Sequence, residues 1–406
     1  VFSVSSAQSL VEVPQLVLPF FGITLTAIFL GLAVYKYNQD KVVCSILAFV
    51  LVVFFIWLGI KVPIALPFSQ ATAQNIWISV LFIYALVVSL VPVWLVLQPR
   101  DYVSATGLFS FLAIGIIAII IARPEINAPA TIPFSLSQLP LWPILFITVA
   151  CGAISGFHAL VSSGTSSKQL AKESHGKFIG YGAMLAEGLV ALLVLIFVTA
   201  GLKWSFSATG NLDFFKDALA SGWIVAFGRG FANIVSSALP FIPYALLIVL
   251  SSLVVNTFIL TSLDTSTRIG RMIAGEALSK KSKLNNKLLL TLAILIPAFL
   301  LAITNTYSTL WRMFGSSNQL IAGVVLIAIS AYLVEYKKPV LYTLLPSFFM
   351  IITTLASLCY GLYNYILEMN IALAIISILL ITFAIFVTIE TIAKIIELKK
   401  QRKARK

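Results

Sequence analysis

The sequence predicts an all-α, polytopic integral membrane protein with about eleven transmembrane helices. Two observations carry this. Hydrophobic residues make up 60% of the chain and charged residues only 10%, where soluble domains carry about 25% charged residues; the mean hydropathy is +1.05. Apolar runs of roughly 17–25 residues, the length that crosses a bilayer as a helix, recur from end to end.

In order, the runs lie near 14–35, 43–61, 76–98, 104–122, 143–163, 178–201, 240–263, 287–303, 318–334, 339–361 and 369–391. Basic residues favour cytoplasmic loops. The tail Lys394–Lys406 (KIIELKKQRKARK) is strongly basic. Counting back from it, alternate loops carry Lys337 and Lys338, Arg268 to Lys287, Lys168 to Lys177, Arg100, and Lys36 with Lys41. The intervening loops near 62–75, 123–142, 302–317 and 362–368 are poor in lysine. The alternation predicts an external N-terminal side, a cytoplasmic C-terminus and an odd number of spans. The long loop 202–239 contains an amphipathic stretch, DFFKDALASGWIVAFGRG, expected to form an interfacial helix; a lid dipping into the membrane is the alternative.

The formal net charge is +13. Because the basic residues sit in short loops and the tail, they suit topology control and anionic lipid rather than nucleic acid. Cys44, Cys151 and Cys359 fall inside apolar runs, and their odd number and wide spacing imply neither a disulfide framework nor a zinc site. Val1 reads as the edge of a fragment or of a processed chain.

The run 143–163 departs from its neighbours. Gly152, Ser155, Gly156, His158, Ser162, Ser163, Gly164 and Thr165 follow one another within about four helical turns. Lipid penalises unpaired backbone and buried polar groups, so such a segment must face protein or a water-filled cavity. Broken helices of this kind form substrate and ion sites in transporters. His158 is ionisable within a span, and its pKa range suits proton coupling. Glu187 lies about nine residues into the next span, roughly 13 Å from its cytoplasmic end. The two are at similar depth on consecutive antiparallel helices, where a histidine–carboxylate relay is one arrangement and separate packing roles the other. Gly152 and Gly156 form GxxxG, which serves close helix packing or backbone access to a ligand. Cys151 beside them is a packing or site residue. Ser162, Ser163, Gly164 and Thr165 either bind an anionic group or cap the next segment. Asn256 is polar within its span, and Asp264 lies at the expected cytoplasmic end near Arg268, as a site carboxylate or a cap. WRMFGSSNQL (311–320) places Gly315, Asn318 and Gln319 at the outer start of a span, as a bent entrance or a cap.

No GxxxxGK[ST] loop is present, which argues against ATP-driven pumping by this chain. HExxH and paired-cysteine metal motifs are also missing, and no cofactor is expected. An intramembrane serine–histidine hydrolase is a rival class, but Ser155 and His158 share one helix at i and i+3, a poor dyad, and His175 falls in a loop. A membrane sensor acting through the basic tail is the second rival.

These same stretches resemble a known family. ACGAISGFHALVSSGTSSKQLAKES followed by IGYGAMLAEG, with LVPVWLVLQPRDYVS (90–104), NTFILTSLDTSTRIGRMI (256–273) and STLWRMFGSSNQLIAG (308–323), is similar, block by block and in order, to the carbon starvation protein CstA family. The resemblance covers roughly residues 1–330. It implies a prokaryotic inner-membrane secondary transporter, not an enzyme, related to the amino acid–polyamine–organocation superfamily. Members are linked to peptide uptake in carbon starvation, and relatives move pyruvate with protons. Family members carry further N-terminal spans, including a glycine-rich broken segment. In an inverted-repeat fold that segment would be the partner of 143–165, and this chain would hold part of the site. The expected organisation is a transporter core at 1–285, C-terminal transmembrane helices at 286–393 and a basic cytoplasmic tail at 394–406. The expected partners are a peptide or small carboxylate, a coupling proton (sodium being the alternative) and anionic lipid.

Overall fold

The computed structural model describes residues 1–131, 140–149, 152, 154–204, 222–278, 286–304 and 307–404. Every regular element among them is helical. In chain order they are α1 (Phe2–Glu12), α2 (Val17–Gly31, prolonged by a π turn to Lys36), α3 (Lys41–Lys61), α4 (Gln70–Leu90), α5 (Leu97–Ala122), α6 (Phe146–Val149, after a π turn at Leu141–Leu145), α7 (Gly156–Gly164), α8 (His175–Thr199), α9 (Trp223–Ala238), α10 (Tyr244–Ala277), α11 (Lys287–Ile303), α12 (Tyr307–Glu335), α13 (Leu341–Leu367) and α14 (Ile371–Ala404). Nine helices among the described residues are long and apolar enough to cross a membrane. The chain is a multi-pass membrane protein. Two of the expected spans differ: 143–163 is interrupted, and α11 is a shorter apolar helix of 17 residues.

Local chemistry sets many boundaries. Asp40 starts α3 by accepting hydrogen bonds from the amides of Val42 and Val43 at 2.9 and 3.0 Å, Ser69 caps α4 and Asn286 caps α11. Each side chain satisfies an amide that has no partner within its helix. Val42, Ile46, Phe49, Val53 and Trp57 form an exposed apolar stripe on α3, as a lipid-facing surface requires.

Charge misplaces several boundaries in the sequence. Arg100, expected in a cytoplasmic loop, lies in the first turn of α5, because Pro99 suits a helix start where its missing N–H is no loss. Likewise α10 runs on past the expected end at 263 and carries Asp264, Arg268 and Arg271 inside the helix. Arg268 donates to the carbonyls of Val88 and Val91 at 2.5 and 2.8 Å, and Arg271 to that of Ser89 at 2.7 Å. These are orphan carbonyls at the C-terminal end of α4, where cations are also favoured by the helix dipole. α12 begins at Tyr307, so Asn318 and Gln319 lie well inside a helix rather than at its entrance.

The chain divides into two compact units, one of residues 1–131 and 189–305, the other of residues 132–188 and 306–406. In the first, α10 packs against α1, α4, α5, α9 and α11. Of the amphipathic stretch expected at the membrane interface (213–230), residues 213–221 lie outside the described residues, and Trp223–Gly230 open α9, which is buried in this core. Gly201 and Gly230 allow the reason: a Cβ on either would collide with backbone of the other's segment, so the chains touch main chain to main chain. Phe227 and Phe231 then interlock with Phe111 and Phe197, with Phe111 and Phe231 centroids 4.4 Å apart. Phe231→Ala is expected to lower the stability of the purified protein by about 3–5 kcal/mol, read as a fall in its thermal unfolding midpoint in detergent; an unchanged midpoint would show that α9 is not part of the core. In the second unit α12, α13 and α14 pack on one another, and α7 lies along α12.

Candidate functional site

The interrupted helix belongs to the second unit. The chain enters with Trp142, whose indole Nε1 donates to Thr353 Oγ1 at 3.4 Å, runs through α6, and loses helical form before α7. Ser155 is the N-cap of α7, with extended φ/ψ of −113° and 128°, and its Oγ accepts from the amide of His158 at 3.4 Å. Asn318 of α12 completes the cap. Its Oδ1 accepts from the amide of Phe157 at 2.7 Å, and its Nδ2 lies 3.2 Å from Ser155 Oγ. Two of the first amides of α7 are therefore held by side chains of the protein itself.

Gly156 is why α7 can lie so close. A Cβ there would overlap the Asn318 carbonyl oxygen, Ile321 Cβ and the Ala322 amide nitrogen, whereas Gly152 has open space around it and is exposed. Of the GxxxG pair, one glycine packs and the other does not. Ser155, Gly156 and Asn318 are thus brought together. His158, Ser162 and Ser163 are exposed, and Gly164 and Thr165 half-buried. Ser163 Oγ donates to the Leu160 carbonyl and the Thr165 amide to that of Val161, so this run ends α7. Gln319 is fully buried. Glu187 is half-buried in α8. Among the described residues, the ion pairs both involve Arg100, and none joins His158 to Glu187. Cys151 lies outside the described residues.

The first unit holds a second polar centre. Asp264, expected at a helix end, is fully buried in α10, and its Oδ2 lies 2.5 Å from Arg100 Nη1, itself fully buried. The Tyr84 hydroxyl of α4 accepts from Arg100 Nη1 and donates to Asp264 Oδ2. Arg100 Nη2 donates to Thr261 Oγ1 at 3.1 Å, and that hydroxyl donates to Asp101 Oδ1 at 2.8 Å. Asp101 Oδ1 is 3.7 Å from Arg100 Nη2. Three helices, α4, α5 and α10, are joined by this network. Asn256, about two turns before Asp264 in α10, donates to Ser9 Oγ of α1 at 2.9 Å and to the Ser252 carbonyl at 2.8 Å.

Tyr84, Arg100, Asp101 and Thr261 were not among the residues singled out from the sequence. Arg100 and Asp101 fall between the expected spans 76–98 and 104–122, whereas Tyr84 and Thr261 lie inside expected spans as ordinary polar residues. The usable signal was Pro99: a proline at a helix start would have put the Arg-Asp pair inside the span, where each charge needs a partner.

Comparison with known proteins follows from these features. The family model "Carbon starvation protein CstA" matches residues 1–211 and 212–357. The chain is 30% identical over 386 residues to "Peptide transporter CstA" of Helicobacter pylori (strain ATCC 700392 / 26695), covering 79% of this chain and 55% of that protein. It is 30% identical over 381 residues to "Pyruvate/proton symporter BtsT" of Escherichia coli (strain K12), covering 74% and 52%, and 32% identical over 339 residues to "Peptide transporter CstA" of the same organism, covering 68% and 48%. The chain thus spans about half the length of these relatives. No solved structure matches it. With its blocks in family order and a family match across most of its length, the chain belongs to the carbon starvation protein CstA family.

Proposed function

We propose that the complete protein is a secondary active transporter of the CstA type that takes up peptides or pyruvate-like small carboxylates with a coupling proton, in the response to carbon starvation. The observation that carries this reading is the interruption just before α7, where Ile154 and Ser155 leave helical form, Ser155 with extended φ/ψ, within an apolar stretch. Backbone of that kind is tolerated at membrane depth where it is covered by protein or lines a water-filled cavity. In this reading Gly152, Ser155, Gly156, His158 and the 162–165 turn belong to the substrate-side wall, with Asn318 and Gln319 supporting it from α12. The hydrolase alternative is disfavoured by Ser155, whose hydroxyl is engaged as a helix cap. Names of relatives support both substrate classes, a peptide for one and pyruvate with a proton for the other.

The test is uptake by the complete protein in liposomes. Labelled peptide or pyruvate should accumulate under an inward proton gradient, and a protonophore should discharge it. Intact vesicles that take up neither substrate would overturn the reading.

The orientation proposed is that of a plasma-membrane (inner-membrane) protein with a cytoplasmic C-terminus, its basic tail held near anionic lipid. In a background lacking Cys44, Cys151 and Cys359, an impermeant thiol reagent applied outside should label Asn127→Cys and spare Lys281→Cys. The reverse pattern would invert the assignment.

A further inference from the structure

The buried network of the first unit has an uneven inventory. One guanidinium, Arg100, serves two carboxylates. Asp264 is fully buried on its Nη1 side, and Asp101, 44% exposed, lies on its Nη2 side. Thr261 hydroxyl stands between Arg100 and Asp101, accepting from one and donating to the other. The pairing is also unfinished. Arg100 Nε and Asp264 Oδ1 are buried and have no hydrogen-bond partner among the described residues. Arginine–carboxylate pairs are frequently bidentate, with two parallel hydrogen bonds, and buried polar atoms are normally satisfied. Here the contact is through one oxygen, and the second oxygen is left over.

We infer that Asp101 and Asp264 form a proton-exchange pair on Arg100, with Asp101 the port and Asp264 the buried station for the coupling proton. This rests on the transport reading above and names its proton site. Arginine keeps its charge throughout. In one state the Asp264 carboxylate pairs with Arg100, and Asp101 is a neutral acid that has taken its proton from water. In the other, the O–H bond of Asp101 is broken and one has formed at Asp264 Oδ1, the oxygen now without a partner. Arg100 then pairs with the Asp101 carboxylate through Nη2. One proton moves and one ion pair is exchanged for another, so the net charge of the trio is the same before and after. That matters inside a membrane-spanning bundle, where an uncompensated charge is costly. The ionisable groups acting on Asp264 are Arg100 from α5, Tyr84 from α4 and Arg268 from its own helix. Tyr84 donates to the Asp264 oxygen already engaged by Arg100. Arg268 is held on the carbonyls of Val88 and Val91, which ties it to the end of α4 and leaves Arg100 as the guanidinium the two acids share.

Two measurements test this. The first needs no transport: infrared difference spectra of the purified complete protein across a pH titration. A protonated-carboxyl stretch should rise as pH falls and be lost or displaced in Asp101→Asn. A spectrum in which Asp101→Asn changes nothing overturns the pair. The second is transport by Asp264→Asn and by the charge-balanced double variant Arg100→Gln/Asp264→Asn. The double variant removes both charges together, so it keeps the test open if the single variant fails to fold. Loss of gradient-driven accumulation with persisting substrate counterflow supports the proposal. Accumulation at the wild-type level in the double variant makes the cluster structural and overturns it. Wild-type protein that moves no substrate would instead count against the transport reading, while the infrared titration would still decide the proton site.

Discussion

Gly156→Leu is expected to destabilise the second unit by at least about 3 kcal/mol, the upper range for overpacking a tight contact. The added Cβ would meet the carbonyl oxygen of Asn318, Cβ of Ile321 and the amide nitrogen of Ala322. Two of those atoms are backbone of α12 and cannot rotate away. Separating the helices enough to admit leucine would also break the 2.7 Å bond from the Phe157 amide to Asn318 Oδ1, leaving a helix-start amide without its partner. Gly152→Ala is the internal control. Among the described residues nothing lies within 4 Å of its Cβ position, so its effect should stay within about 0.5 kcal/mol, as for ordinary surface substitutions. The readout is the thermal unfolding midpoint of each variant in detergent. Equal midpoints for the two variants would refute the close contact between α7 and α12.

Arg100→Met is expected to cost about 3–5 kcal/mol, because it strands Asp264 as a buried carboxylate without its cation. The side chain removed also holds Tyr84 and Thr261, so α4, α5 and α10 lose a shared tie. Truncating one partner of a buried pair is worse than removing both, which predicts a specific rescue: Arg100→Met/Asp264→Leu should regain most of the lost stability. The comparison is a double-mutant cycle on unfolding midpoints and on the yield of folded protein. Additive losses in the double variant would mean that the two side chains are not partners.

The helical membrane class was legible because it follows from local composition. Long apolar runs have one solution in lipid: α3 and the spanning part of α14, Ile371–Ala393, lie where hydropathy placed them, whereas α4 starts and ends earlier than the run 76–98 and α13 ends later than 361. The interruption near 152–155 was legible for the same reason, since glycine, serine and histidine accumulate where a lipid-facing helix would carry leucine. Charge was the misleading signal. By charge, Arg100 and Arg268 read as loop residues and Asp264 as the end of a span, because a charge inside lipid is costly. Each is instead inside a helix with its cost met from elsewhere in the first unit: Arg100 and Asp264 meet one another across 164 residues of sequence, and Arg268 reaches carbonyls of α4.

What the sequence determined by itself was therefore the solvent of this chain, the helices that solvent demands and the place where one of them breaks. Only the tertiary structure decided which polar groups share a site. The GxxxG pair shows why: Gly152 and Gly156 are equivalent by spacing, yet only Gly156 has backbone of α12 against it. The same holds for α9, whose apolar face could be recognised from its residues but not whether lipid or protein would cover it. Hydrophobicity is a property of a residue and can be summed along the chain. A hydrogen bond, an ion pair or a backbone contact is a property of two positions, and folding alone brings those positions within 3 Å or so of one another.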